Sequence, residues 1–214
     1  MSTLTLVGRA SSHFTRVPRI VAHELGVVLP LVPVPDLAAI DPAAYGDNPA
    51  LKVPTLQTPQ GPVFGSEPAS RTIAAWADAP PGRLVWPEAV TDRVARNAGE
   101  LTAYGMQTQV QLVFATRVAG LDPAHPLLAK ARVGLAGALE WLDAHLESVL
   151  AAIPRRSDGT SVSLLEITLF CLLEHLAFRP MLPWLPRPRL QRFVDAFALR
   201  PSAAATPYRI EPPR

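Results

Sequence analysis

The chain of 214 residues contains a single cysteine, Cys171, which excludes an internal disulfide and any Cys-x-x-Cys redox pair. It also lacks a long uncharged apolar run. Its most apolar stretch, residues 162–178, carries Glu166, Glu174 and His175 and is too short and too charged for a membrane span. The opening Met-Ser-Thr-Leu-Thr-Leu has neither the basic nor the apolar region of a signal peptide, so a soluble cytoplasmic protein is expected. Charge of one sign is not in excess: the formal net charge is +2, although the pI is about 9.0. The basic residues are almost all arginine and scattered, so no stripe for nucleic acid stands out. What is present, 49% hydrophobic and 18% charged residues, is a globular composition with enough chain for a substantial core in one large or two small domains.

Along the chain, Thr3–Gly8 reads as a buried first strand. Ser11, Ser12 and Thr15 offer cap chemistry before a helix over Val17–Leu25, with Pro18 in its first turn and Gly26 as its stop. Val27–Val34 reads as an edge strand with prolines, and Asp36–Tyr45 as irregular with one helical turn. Ala79-Pro80-Pro81-Gly82 is the clearest linker. Beyond it the pattern is helical only: Pro87–Val118, bent at Gly105; Pro126–Ala152, striped by Leu128, Leu135, Leu139, Leu142, Leu146 and Val149; and Leu190–Leu199. Between the last two, Ser163-Leu-Leu-Glu166 matches a capping box ahead of a helix apolar nearly all round, the kind that forms the buried centre of a bundle.

The stretch from Asn48 to Ser70 is the most informative. Val53-Pro54 heads a short strand and is a candidate cis peptide; if cis, it turns the Val53 backbone N–H and C=O outward, where another extended chain can pair with them. A turn at Gln60-Gly61 and a second strand at Val63-Phe64 follow. Ser66-Glu67 then opens a helix to about Asp78, offering donors for an anion and an acceptor for an ammonium group. Together these form a holder for a small peptide bearing both charges.

The order of these elements, with Leu6–Phe14, Arg16–Ile20, Glu24–Gly26, Asn48–Pro54, Ser66-Glu67, the Ser163–Glu166 box and Phe193–Ser202, resembles the cytosolic glutathione transferase superfamily of bacterial, serine-type members. The resemblance implies an α/β thioredoxin-like domain over residues 1–79, a linker over 80–87 and an all-helical bundle over 88–214. It also implies a homodimer, glutathione as co-substrate, and no metal.

On this resemblance Ser12 faces the glutathione sulfur, in a tripeptide Ser12-His13-Phe14 where similar members carry Ser-Pro-Phe. Ser11 is the alternative, and capping of the helix the structural role either serine can play. Ser12 acts as a hydroxyl donor to the thiolate and not as a nucleophile. The Val53 backbone, set by a cis Pro54, pairs with the cysteinyl unit, and Lys52 either stands near the glycyl carboxylate or faces solvent. Ser66 and Glu67 meet the γ-glutamyl end, although the family's usual order, an acidic residue or glutamine before serine, is here exchanged; a register shift would put Ser70 in the serine's place. Arg9, Arg16 and Arg19 cluster near the first loop, where they either attract an anionic tripeptide or only solvate an exposed face; His13 reads as a general base or, as a lone loop histidine, as solvated or structurally hydrogen-bonded.

Glu174 and His175 read as satisfied core groups, too few for a metal site, and Cys171 as a small core hydrophobe. Tyr104, Gln107 and Gln111 face the acceptor cleft, solvent or a dimer contact. The implied activity is conjugation of the glutathione thiolate to small, apolar electrophiles, a detoxification chemistry. A glutathione-dependent isomerase or dehalogenase, and a non-catalytic binding protein on the same scaffold, are the alternatives.

Overall fold

The computed structural model describes residues 3–182 and 187–210. They form two compact units, one comprising the described residues up to Pro81 together with those from Ala198 on, the other Gly82–Phe197.

In the first unit, strand β1 (Thr5–Gly8) leads to helix α1 (His13–Glu24), edge strand β2 (Leu31–Pro33), a 3-10 turn (Pro42–Tyr45), the hairpin β3 (Thr55–Thr58) and β4 (Gly61–Phe64), and helix α2 (Ser66–Trp76). The sheet order is β2-β1-β3-β4. β1 runs parallel to β2 and antiparallel to β3, and β3 antiparallel to β4. Leu6, Ile20, Val21, Leu56 and Ile73 are fully buried, so the strands and the apolar faces of α1 and α2 share one core. Gly8 permits this approach: a Cβ there would lie 2.6 Å from the Thr15 side chain of α1.

α1 begins at His13, four residues before the apolar stripe starts, because Ser12 is its N-cap. Pro18 therefore lies inside the helix and not in its first turn. Only Leu31–Pro33 of the expected edge strand is paired, at the edge of the sheet. Residues after Ala198 close the unit against α1. Glu24, whose side chain is 6% exposed, accepts from Arg200 Nε at 2.8 Å and Nη2 at 2.9 Å and from Ser202 Oγ at 2.6 Å. The buried Arg16 donates to the Ala203 carbonyl at 3.3 Å and to Thr206 Oγ1 at 3.4 Å, with Tyr208 stacked 4.5 Å from its guanidinium.

The second unit contains α3 (Arg93–Val113), α4 (Pro126–Ala151), α5 (Leu164–Phe178) and most of α6 (Pro188–Ala198); α7 (Pro201–Ala204) belongs to the first. Two short segments, β5 (Leu84–Val85) and β6 (Val162–Ser163), pair in parallel, so this unit is helical with one small strand pair. The expected helix from Pro87 resolves into a 3-10 turn (Pro87–Ala89) and α3, which starts only where Asp92 caps it. A π-helical turn, Phe114–Val118, ends α3.

α3 runs through Gly105 unbroken, and a Cβ there would sit 2.7 Å from Leu172 Cδ2 of α5, so glycine serves close packing. All six residues of the α4 stripe are buried. The capping box is complete: Ser163 Oγ accepts from the Glu166 amide at 3.1 Å, while Glu166 accepts from the Ser163 amide at 2.9 Å. Arg155 adds two hydrogen bonds of 2.8 Å to the same carboxylate. Behind that cap α5 is buried on most of its surface, as a central helix must be. Among the described residues, no helix is long and apolar enough to cross a membrane.

Candidate functional site

Strand register gathers three loops of the first unit at one end of its strands. Val7 of β1 lies opposite Thr55 of β3, so the β1–α1 loop adjoins Val53-Pro54. Thr55 lies opposite Phe64 of β4, and the Gly65 amide donates to the Pro54 carbonyl at 3.0 Å. The start of α2 therefore adjoins the same loop, and a bond of 2.7 Å from Ser66 Oγ to the Phe14 carbonyl joins it to α1. Ser11, Ser12, Val53, Pro54, Ser66 and Glu67 thus converge, although 55 positions separate Ser12 from Glu67 in the chain.

Each loop has its local cause. Ser12 adopts the extended conformation of an N-cap, and its Oγ accepts from the Thr15 amide at 3.3 Å. Its own hydroxyl proton has no acceptor among the described residues. No acidic side chain stands in the first turn of α1, so nothing there opposes the partial positive charge of the helix start. Ser11 is buried and Ser12 half-buried. His13, expected in the loop, is the first helical residue and is not solvated: it is buried against Phe14, ring centroids 4.5 Å apart.

The Val53-Pro54 bond is cis. The Val53 N–H and C=O make no hydrogen bond among the described residues, so both are available to an extended chain. Asn48, buried, organises the approach: its Nδ2 donates 2.9 Å to the Lys52 carbonyl and its Oδ1 accepts 2.9 Å from the Ala50 amide. Leu51 takes a φ of 54° in this loop, a conformation few non-glycine residues adopt. The Lys52 side chain is exposed.

α2 has Gly65 as its N-cap, with φ 89°, a conformation that favours glycine. The amides of Ser66 and Glu67 have no partner among the described residues, and Pro68 has no amide to offer. The Ser66 hydroxyl is spent on Phe14. The Glu67 carboxylate accepts from Arg71 Nε at 3.0 Å and Nη2 at 2.8 Å. With side chains 44% and 38% exposed, that i,i+4 pair contributes about 0.5 kcal/mol or less, a small barrier to recruiting Glu67 for an ammonium group. Ser70 is fully buried and donates to the Ser66 carbonyl at 2.7 Å, which disfavours the shifted register.

Sequence reasoning passed over Asn48 and Gly65 as site-building residues. The Asn-Pro pair at 48–49 was the available signal for the first; Gly65 carried none, because its φ depends on where the hairpin ends.

In the second unit His175 is buried, its Nδ1 3.4 Å from Gln109 Nε2, and Cys171 is buried. Among the described residues no group of three His, Cys, Asp or Glu side chains is placed to hold a metal ion. The Tyr104 hydroxyl packs on Gly134 of α4 so closely that a Cβ there has no room; Gln107 and Gln111 are exposed. A groove of about 420 Å³ lies between α3 and α4, lined by Asn97, Glu100, Leu101, Gly137, Ala138 and Trp141.

A β-α-β-β-β-α unit presenting a capped serine, an unpaired Val53 backbone at a cis-proline and a helix start, accompanied by a helical unit, has the glutathione transferase fold. Residues 6–81 match the family model for the glutathione S-transferase N-terminal domain. A glutathione S-transferase from Methylobacterium radiotolerans, solved with glutathione sulfonate, is 25% identical with a TM-score of 0.76, covering 98% of this chain and 97% of its own. Another from Methylobacillus flagellatus, with glutathione bound, is 23% identical with a TM-score of 0.74, covering 96% and 99%. A family member from Pseudomonas fluorescens, also with bound glutathione, is 24% identical with a TM-score of 0.71, covering 97% and 100%. These matches show the fold of the glutathione transferases and, over residues 6–81, the N-terminal domain of that family. No curated protein sequence matches the chain.

Proposed function

We propose that this chain is a glutathione transferase of the serine type, which conjugates the glutathione thiolate to small, apolar electrophiles. The observation that carries this reading is Ser12: its oxygen is oriented by the Thr15 amide while its proton is free to be donated. A thiol of pKa near 8.5 is only a few per cent thiolate at neutral pH. Lowering that value by about two units takes roughly 2.7 kcal/mol. A hydrogen bond to a charged group contributes about 1.5–3 kcal/mol and a helix start about 0.3–1 kcal/mol, so together they reach it. Ser11, buried beside it, is the weaker candidate.

The remaining contacts follow the chemistry of the tripeptide. The Val53 backbone pairs with the cysteinyl unit beside Pro54. The Ser66 and Glu67 amides hold the γ-glutamyl carboxylate, and Glu67 exchanges Arg71 for the γ-glutamyl ammonium. Lys52 meets the glycyl carboxylate. A bound thiolate near the electrophile then gains from proximity as well as from its lowered pKa. A homodimer acting in the cytoplasm belongs to the same proposal, and sedimentation tests the dimer.

Calorimetric titration with glutathione, followed by thiolate absorbance against pH, tests the reading. Binding in the millimolar range or tighter, with a bound thiol pKa below about 7.5, supports it; no binding at millimolar glutathione refutes it. A second reading, a binding protein that keeps the fold without catalysis, is favoured by the occupied side chains of Ser66 and Glu67. Glutathione binding with a thiol pKa unchanged from free solution distinguishes it. An isomerase or dehalogenase shares the thiolate step, and only substrate screening separates it.

A further inference from the structure

In an α-helix the carbonyl of residue 14 accepts from the amide of residue 18. Here residue 18 is proline, inside α1, and has no amide. The orphaned Phe14 carbonyl is met from another element: Ser66 Oγ, 52 positions away, donates to it at 2.7 Å. Ser66 is the first residue of α2, and α1 packs against α2. One hydroxyl has one proton, so while this bond stands Ser66 has no hydrogen to give a ligand.

We propose that Ser66 is a positioning residue whose hydroxyl replaces the amide missing at Pro18, thereby fixing the start of α2 to the first turn of α1. It deepens the glutathione reading in one respect and rests on it there: α1 starts at the serine that faces the sulfur, α2 at the amides that face the γ-glutamyl carboxylate. The bond between them sets the spacing of the two ends of the ligand. The exchanged Ser66-Glu67 order then has a physical consequence. The hydroxyl serves the scaffold, and the carboxylate end is held by backbone amides alone.

The test is a double-mutant cycle with Ser66→Ala and Pro18→Ala, with Ser66→Thr as the conservative variant. Thermal melts of the ligand-free proteins come first. The proposal expects Ser66→Ala to lower Tm in the protein that keeps Pro18. It expects little effect of Ser66→Ala once the Pro18→Ala substitution supplies an amide to the Phe14 carbonyl. An equal loss in both backgrounds overturns it. In the ligand arm, Ser66→Ala is expected to weaken glutathione binding about fivefold and also to raise the pKa of the bound thiol, because the two ends lose their common spacing. Ser66→Thr restores both. Weaker binding with an unmoved thiol pKa overturns the positioning role and makes Ser66 a direct donor to the carboxylate. If the unaltered protein binds no glutathione, the glutathione reading fails, and the Tm cycle still decides whether the hydroxyl replaces the missing amide at Pro18.

Discussion

Replacing Ser12 removes two effects that reside on one atom, and they can be measured apart. As N-cap, Ser12 Oγ accepts from the Thr15 amide at 3.3 Å. Ser12→Ala leaves that amide unpaired and costs about 1 kcal/mol of stability. In the proposed role of donor, the same hydroxyl would stabilise a bound thiolate by about 1.5–3 kcal/mol, and its loss is expected to raise the thiol pKa by roughly one to two units. Ser12→Asp separates the two. A carboxylate caps as well as a hydroxyl and is favoured by the helix start, so stability is held, yet it has no proton to give and repels the thiolate. The expected pattern is a urea midpoint lowered in Ser12→Ala and retained in Ser12→Asp, with the thiol pKa, followed by thiolate absorbance, raised in both. Ser11→Ala, the control, moves the pKa in neither direction. A thiol pKa unchanged by Ser12→Ala, or raised by Ser11→Ala instead, refutes the assignment.

Gly105→Ala is expected to cost about 1–3 kcal/mol in urea denaturation, because the added methyl meets Leu172 Cδ2 at 2.7 Å in a filled core. Arg200→Ala leaves the Glu24 carboxylate, 6% exposed, with Ser202 but without its bidentate partner. Stability then falls by about 2 kcal/mol, less than for a fully buried pair because Arg200 is partly solvated. Ser163→Ala removes the side-chain half of the α5 capping box and costs about 1–2 kcal/mol, read from the same denaturation curves. Burial, with the Asp36 charge second, raises the Tyr45 pKa above its ordinary 10.0. The folded state therefore holds this proton longer than the unfolded state does. Tyr45 destabilises nothing below that value, and stability declines as pH rises through 10.0 toward the folded pKa. Tyr45→Phe, assayed by melts in buffers that span pH 10.0 and above, abolishes that part of the decline.

Much of the candidate site was legible because its signals are local. Ser12 caps the helix that follows it, and a Val-Pro pair heading a strand announces its own geometry. A Ser-x-x-Glu box satisfies two amides within four residues. Such contacts close over short stretches of chain, so residue type and spacing suffice to read them. The helix boundaries were less legible: apolar periodicity marks the buried face and is silent about polar first turns, which is why α1 began before Val17 and α3 after Pro87.

The sequence by itself therefore determined the order of elements, the caps, the buried stripes and the loops that carry the candidate site. Tertiary structure alone decided what those residues are free to do. Ser66 reads in the sequence as a ligand donor, but Pro18 leaves a carbonyl unpaired on a neighbouring helix and takes its proton. Arg16 reads as one of several surface arginines, yet residues 203–208 bury it. Gly105 reads in the sequence as a place to bend, and only α5 lying against it shows that a side chain there would collide with Leu172. In each case the deciding partner is tens to nearly two hundred residues away. A hydrogen bond or a steric contact depends on distance in space, which no local pattern encodes.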